Sequence, residues 1–258
     1  MLVGVIHLPP LPGSPRSKLS ARAAAEDAGA DAQILAAAGY DAIIVENFGD
    51  APFFATNVPP VTVAAMTVCA LAVRAAAPNV PLGINVLRND AASALAIAAC
   101  VDARFVRINV HTGVRVTDQG VVQGSAAETL RLRKALGVES VGIWADVDVK
   151  HSAPLGAPIP VSQEVADLTK RGLADVVLVT GEGTGRGVDL DKLAAVERAS
   201  DKPVFVASGA TIATLSSLAP VADGVVVGSA LRSGGVAGGP IDATLARAFA
   251  AAYRRDFT

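Results

Sequence analysis

Short runs of aliphatic and β-branched residues recur along this chain, separated by Ala-rich stretches with helical spacing. The runs predict strands at Leu2–His7, Ala42–Glu46, Leu82–Val86, Phe105–Asn109, Gly142–Asp146, Val176–Val179, Val204–Ala207 and Gly224–Val227. Each is short and continuously apolar rather than alternating, which marks parallel strands buried on both faces. The intervening stretches predict helices at Ser20–Ala38, Thr62–Ala77, Ala91–Cys100, Ala126–Leu136, Ser162–Arg171, Asp189–Ala199, Thr211–Leu218 and Asp242–Arg254. Ser20, Thr62, Ser162 and Asp242 are the expected N-caps. Parallel strands joined by helices need right-handed crossovers. Eight such units predict an α/β fold, a single (β/α)₈ TIM barrel occupying residues 1–258 as one domain.

An internal echo points the same way. AGYDAIIVENFGD at 38–50 resembles RGLADVVLVTGEG at 171–183, and PLGINV at 81–86 resembles PVFVAS at 203–208. The second half thus retraces the first, as two four-stranded half-barrels would. The longest loops, HLPPLPGSPRSK and NFGDAPFFATNVPP, follow the first and second strands, and the Gly-rich SGGVAGG at 233–239 follows the last. All three belong to one barrel face, and long loops in a compact domain usually carry function.

Composition narrows the class. At 258 residues the chain is the size one barrel needs, roughly 250 residues. Its net charge of −2 and lack of a basic run exclude a nucleic-acid surface. No apolar run approaches the roughly 20 residues of a membrane span. The N-terminus enters a strand with no basic leader, so a reducing cytoplasm is the expected compartment. Cys69 and Cys100 fall in predicted amphipathic helices and read as buried thiols.

In a barrel, functional groups come from the C-terminal strand ends and the loops after them. The polar residues collect there, including all three histidines, His7, His111 and His151. Glu46 and Asp146 end the second and fifth strands and form a carboxylate pair for acid–base chemistry. Those strands are not neighbours in the ring, so the two carboxylates are expected nearly opposite each other across the mouth. Lys150, His151 and His7 complete the catalytic candidates. Lys150 lies past its strand end, which points to salt bridging or phosphate contact rather than to an imine. Asn47, Asn85, Arg88, Arg107, Asn109 and Thr180 are candidates for holding substrate hydroxyls and charges, and Glu182 stands among the polar strand-end residues. Asn47, Asp50 and Asp90 have an equally ordinary use as loop and helix caps. Arg88 and Asp90 also suit a surface ion pair.

The last two strands carry a second signal. Ser208-Gly209 and Gly228-Ser229 form glycine turns whose backbone N–H groups suit an anion, the usual phosphate position of such barrels. TDQG at 117–120 predicts a hairpin tip that brings Asp118 and Gln119 over the mouth. The histidines and carboxylates are scattered without ligand spacing, so no metal and no cofactor is expected.

These blocks resemble a known family. VIHLPPLPGSPR at 5–16, IIVENFGDAPF at 43–53, INVLRND at 84–90, RINVHTG at 107–113, VTDQGVVQG at 116–124, ADVDVKHSAPL at 145–155 and the closing ASGAT and VVVGSALRSGG are similar to the BtpA family over nearly the full length. The resemblance implies a barrel like those that bind ribulose phosphates. It also brings a link to photosystem I biogenesis and the nucleosidase and sugar-operon labels of some members. Members often have LTG where this chain has His111, and DVKVKH where it has Asp148, which weakens His111 as a shared catalytic group and leaves Lys150-His151 intact.

Three functions remain in competition: an enzyme acting on a phosphorylated or ribosyl-containing small molecule, a non-catalytic assembly or regulatory factor, and a metal-dependent hydrolase. The crowd of Glu, Asp, Lys, Arg and His at one barrel mouth favours the enzyme, because an assembly factor has no use for it. The expected partner is a small molecule, with no nucleic acid, and a homo-oligomer is allowed.

Overall fold

A computed structural model describes residues 1–181 and 187–257. Eleven strands occur among them: β1 Leu2–His7, β2 Ala42–Glu46, β3 Leu82–Asn85, β4 Phe105–Ile108, β5 Val114–Thr117, β6 Gly120–Gln123, β7 Gly142–Val147, β8 Ser152–Pro154, β9 Val176–Val179, β10 Val204–Val206 and β11 Gly224–Val227. Eight of these pair in parallel as a closed barrel in the order β1-β11-β10-β9-β7-β4-β3-β2. They are the eight runs read from the sequence, with ends shifted by a residue. The two echoes match β2 with β9 and β3 with β10, strands four places apart in the ring. The other three strands form an antiparallel sheet, β6-β5-β8, above the barrel.

The helices are α1 Ala21–Ala37, α2 Pro60–Ala76, α3 Ala91–Cys100, α4 Ala126–Ala135, α5 Val161–Ala166, α6 Leu190–Ala199, α7 Leu215–Leu218 and α8 Ala243–Asp256. Ser20 and Asp242 cap α1 and α8 as expected, by accepting from N–H groups of the first turn. Thr62 and Ser162 do not cap. Pro at the first position starts α2 two residues earlier, and α5 begins at Val161 after Pro160. Cys69 is buried, its thiol pushed up to about 12 by burial, whereas Cys100 is exposed at the end of α3, against expectation. No described helix is long and apolar enough to cross a membrane.

Strand residues alternate between two cores. One face packs under the helices and carries Leu2, Ile6, Ile43, Val45, Ile84 and Val106. The other fills the barrel with Val3, Val5, Ala42, Ile44, Phe105, Trp144, Leu178, Phe205 and Val226. Phe105 stacks on Trp144 at 3.9 Å, and Phe205 meets Trp144 edge-on at 5.1 Å. Gly83 makes room for this, since a Cβ there would lie 2.2 Å from the Phe105 ring. The same alternation builds the site. His7, Glu46, Asn85, Arg107, Asp146, Thr180 and Gly228 each lie two residues beyond an inward-facing position, so all belong to one layer at the barrel mouth.

Candidate active site

The mouth holds two chambers joined at a common wall of Glu46, Phe48, Arg107 and Lys150. The smaller encloses about 40 Å³ and is closed by Ser208, Gly209, Ala210, Gly228, Ser229 and His7. That is room for roughly three water-sized groups. The larger encloses about 420 Å³ and is lined by Phe53, Leu87, Arg88, Asn109, Asp118, Gln119 and His151. Its volume falls in the range of small-molecule sites.

Arg107 organises the junction. It is 5% exposed, and its Nε and Nη2 donate to both carboxylate oxygens of Asp146, at 3.0 and 2.9 Å. Asn109 Nδ2 donates to Asp146 Oδ2 at 2.8 Å. The Asp146 side chain is 0% exposed and lines neither chamber. Glu46 stands 3.9 Å from Arg107 Nη1 and lines both chambers. The two carboxylates therefore do not confront each other across open space: Arg107, on the strand beside β7, stands between them and engages both. Asp146 positions this arginine, and Glu46 is the carboxylate turned to the cavity.

Several other sequence candidates belong to the frame rather than to the lining. Asn47 Oδ1 accepts from Leu87 N–H at 2.7 Å and its Nδ2 donates to Asp50 at 3.1 Å, fixing the loop after β2. Asn85 Nδ2 donates to the Arg107 carbonyl at 3.0 Å and to Asn109 Oδ1 at 3.2 Å. Thr180 Oγ1 accepts from Lys150 N–H at 2.9 Å. Asp90 caps α3 and accepts from Val58 N–H at 2.8 Å, so it is no surface partner of Arg88. Arg88 belongs to both frame and lining: it is buried, lines the larger chamber and donates from Nη2 to the Lys150 carbonyl at 2.7 Å. His111 is buried away from the mouth, donating from Nε2 to the Gly172 carbonyl at 2.7 Å. Ser208 lines the small chamber, its hydroxyl accepting from Gly181 N–H at 2.9 Å. Glu182 lies outside the described residues.

The segment after β7 delivers Lys150. Asp148 and His151 both take left-handed backbone conformations, with φ of 46° and 58°, and wrap the chain over the mouth. Among the described residues no carboxylate oxygen lies within 4.0 Å of Lys150 Nζ. Burial, then Arg107 and Arg88, hold its ammonium below the usual lysine pKa against the pull of Glu46 and Asp146. His151 sits exposed at the rim. β5 and β6 form the expected hairpin, and β8 adds a third strand to it, which the sequence reading missed. Asp118 and Gln119 at the tip reach the larger chamber. No three His, Cys, Asp or Glu side chains gather as a metal-ligating group among the described residues.

Three contributors escaped the sequence reading. Phe48, Phe53 and Leu87 make the apolar part of the lining. Phe48 and Phe53 lie inside the ENFGDAPF block, where large apolar residues in a loop were a usable signal. Arg232 belongs to the closing VVVGSALRSGG block. It is 2% exposed and straps the chain after β11, donating to the carbonyls of Gly239 at 3.0 Å, Gly228 at 2.7 Å and Val5 at 3.1 Å.

Known proteins share this architecture. N-(5'-phosphoribosyl)anthranilate isomerase from Pyrococcus furiosus superimposes with a TM-score of 0.58 at 16% identity, covering 99% of each chain. (S)-3-O-geranylgeranylglyceryl phosphate synthase from Thermoplasma acidophilum, in complex with sn-glycerol-1-phosphate, gives 0.59 at 16% identity, covering 98% of this chain and 92% of its own. At such identities the likeness concerns the fold. The photosystem I biogenesis protein BtpA of Synechocystis is 46% identical over 249 residues, covering 96% of this chain and 86% of its own. The BtpA family model itself matches residues 1–255, through every strand of the barrel and every element of its mouth, and the chain belongs to the BtpA family.

Proposed function

We propose that the chain is an enzyme acting on a phosphorylated or ribosyl-containing small molecule of the sugar-phosphate or nucleoside type. One observation carries the reading: the two glycine turns, Ser208-Gly209 and Gly228-Ser229, line the same small chamber as Lys150 and Arg107, and that chamber opens onto the larger one beside Glu46. A phosphate group fits the small chamber, where two cations offset its charge. The organic part then lies in the larger chamber over Phe48, Phe53 and Leu87, with Arg88, Asn109, Asp118 and Gln119 for its polar groups. The bond to be broken or formed falls at the junction. Glu46 serves there as the proton-transferring group or as the stabiliser of developing positive charge. Asp146 holds Arg107 in register for the same task.

The fold likeness to enzymes named for phosphorylated substrates agrees with this reading. The assembly-factor reading draws on the family's photosystem link and the name of the Synechocystis relative, and it leaves the cations of the small chamber without a task.

Titration calorimetry with inorganic phosphate and ribose 5-phosphate tests the proposal. Wild type is expected to bind both, and Lys150→Met to weaken each at least tenfold, the scale of a lost charged hydrogen bond. Glu46→Gln should bind within about threefold of wild type yet lower turnover of an identified substrate by ~10²-fold or more, as loss of acid–base catalysis does. Absence of phosphate-ester binding, or binding indifferent to Lys150→Met, would overturn it.

A further inference from the structure

His7 ends β1 and forms part of the small chamber's wall. Three contacts fix its ring. Phe48 stacks on it at a centroid distance of 4.4 Å. Gly238 donates its backbone N–H to His7 Nδ1 at 3.1 Å. Gly228 lies against the Cε1–Nε2 edge, so close that a Cβ there would stand 2.9 Å from His7 Cε1 and 3.1 Å from Nε2. Gly228 is itself a wall of the same chamber and Gly238 is not, so the Cε1–Nε2 edge adjoins the chamber wall and Nδ1 does not.

A neutral imidazole carries one N–H and one lone pair. The Nδ1 lone pair is committed to Gly238, so the proton of the neutral ring resides on Nε2. The charges around the ring keep it neutral. Burial acts first, and Arg232 behind the ring, Lys150 from the segment after β7 and Arg107 from β4 add to it, all opposing a second proton. Glu46, paired with His7 in the β1–β2 ladder, and Asp27 and Asp31 on α1 are acidic groups nearby, and they do not reverse the balance.

We propose that His7 is a tautomer-locked hydrogen-bond donor, presenting Nε2–H to an acceptor oxygen of the phosphate group in the small chamber, and not a proton-accepting base. The proposal rests on the reading of that chamber as an anion site. Its Nε2 has no lone pair to take a proton from substrate, so Glu46 keeps the proton-transfer role. It also gives the chain after β11 a function at a distance. Gly238 sets the tautomer, and Arg232 holds this chain through Gly239 and Gly228, so the strap decides which face of the imidazole the ligand meets.

The test uses the full-length protein labelled with ¹⁵N-histidine, with His7 assigned by comparison with His7→Gln. Between pH 5.5 and 8, His7 should show a bare Nδ1 and a protonated Nε2 throughout, and its Nε2–H resonance should move when inorganic phosphate is added. A protonated Nδ1 or an imidazolium at pH 7 overturns the proposal. Phosphate calorimetry adds a second readout. His7→Gln, which carries an N–H near the Nε2 position, should bind within about threefold of wild type, and His7→Phe, which keeps a ring against Phe48 but has no donor, should bind at least tenfold more weakly. If His7→Phe binds as wild type does, the donor assignment fails while the anion site stands. If wild type binds no phosphate and the His7 resonance does not move, both fall together.

Discussion

Asp146→Asn removes one charge from the most enclosed ion pair of the mouth. Asp146 accepts three hydrogen bonds, two from Arg107 and one from Asn109, with its side chain fully enclosed. The amide keeps one acceptor oxygen and turns an NH₂ group toward a guanidinium. Arg107 is left with Glu46 at 3.9 Å as its remaining anion. Breaking a buried pair from one side costs about 3–5 kcal/mol, because the surviving charge stays desolvated. With Glu46 still present the lower end applies, about 3 kcal/mol. An unfolding entropy of about 2.1 cal/mol/K per residue gives about 0.5 kcal/mol/K for a chain of this length. The expected loss in Tm is therefore about 6 °C, read by scanning calorimetry at one scan rate. The double variant Arg107→Met with Asp146→Leu deletes both charges and should recover more than half of that loss, since an apolar pair of similar volume is close to neutral. Recovery stays incomplete because Asn109 loses its acceptor. A Tm within about 2 °C of wild type for Asp146→Asn, or a double variant less stable than the single one, would refute the argument.

Two further outcomes follow from the geometry. Gly228→Ala places a methyl group against a His7 ring that Gly238 and Phe48 prevent from yielding. Phosphate affinity should fall about tenfold, the scale of one lost hydrogen bond to a charged group, and unchanged affinity in calorimetry would show that the ring moves freely. Asp148 is buried enough to raise its pKa, but Lys192 and Arg115 outweigh that and hold the carboxyl below its ordinary value. A depressed acid stabilises the fold above its unfolded pKa of about 3.9 and loses that contribution as pH falls through the lower folded value. The Tm gap between wild type and Asp148→Asn should therefore be constant from pH 7 to about pH 5 and close below about pH 4. A gap independent of pH would remove Asp148 from the acid response.

The fold was legible because its signals are local. Short, β-branched apolar runs such as Ile43–Val45 and Val225–Val227 mark strands covered on both faces, and the intervening helices follow from period and capping. The end that carries the polar layer was legible for the same reason, since the polar residues gather after the strands and not before them. Even the inward layer was within reach: a period of two carries Val5 to His7, Ile44 to Glu46 and Phe105 to Arg107, and turns Asn47 away. What each inward residue does depended on its neighbours across the ring. Glu46 and Asp146 look equivalent along the chain, both acidic and both at strand ends. Ring closure places β7 beside β4, so Arg107 and Asn109 engage both oxygens of Asp146, while Glu46, two strands from Arg107, is left facing the cavity. His7 likewise reads along the chain only as a catalytic candidate, and Gly238, 231 positions away, occupies its Nδ1. Periodicity is a property of adjacent residues and survives in one dimension. A hydrogen bond between strands or loops far apart in the chain depends on register and closure, and only the folded barrel sets those.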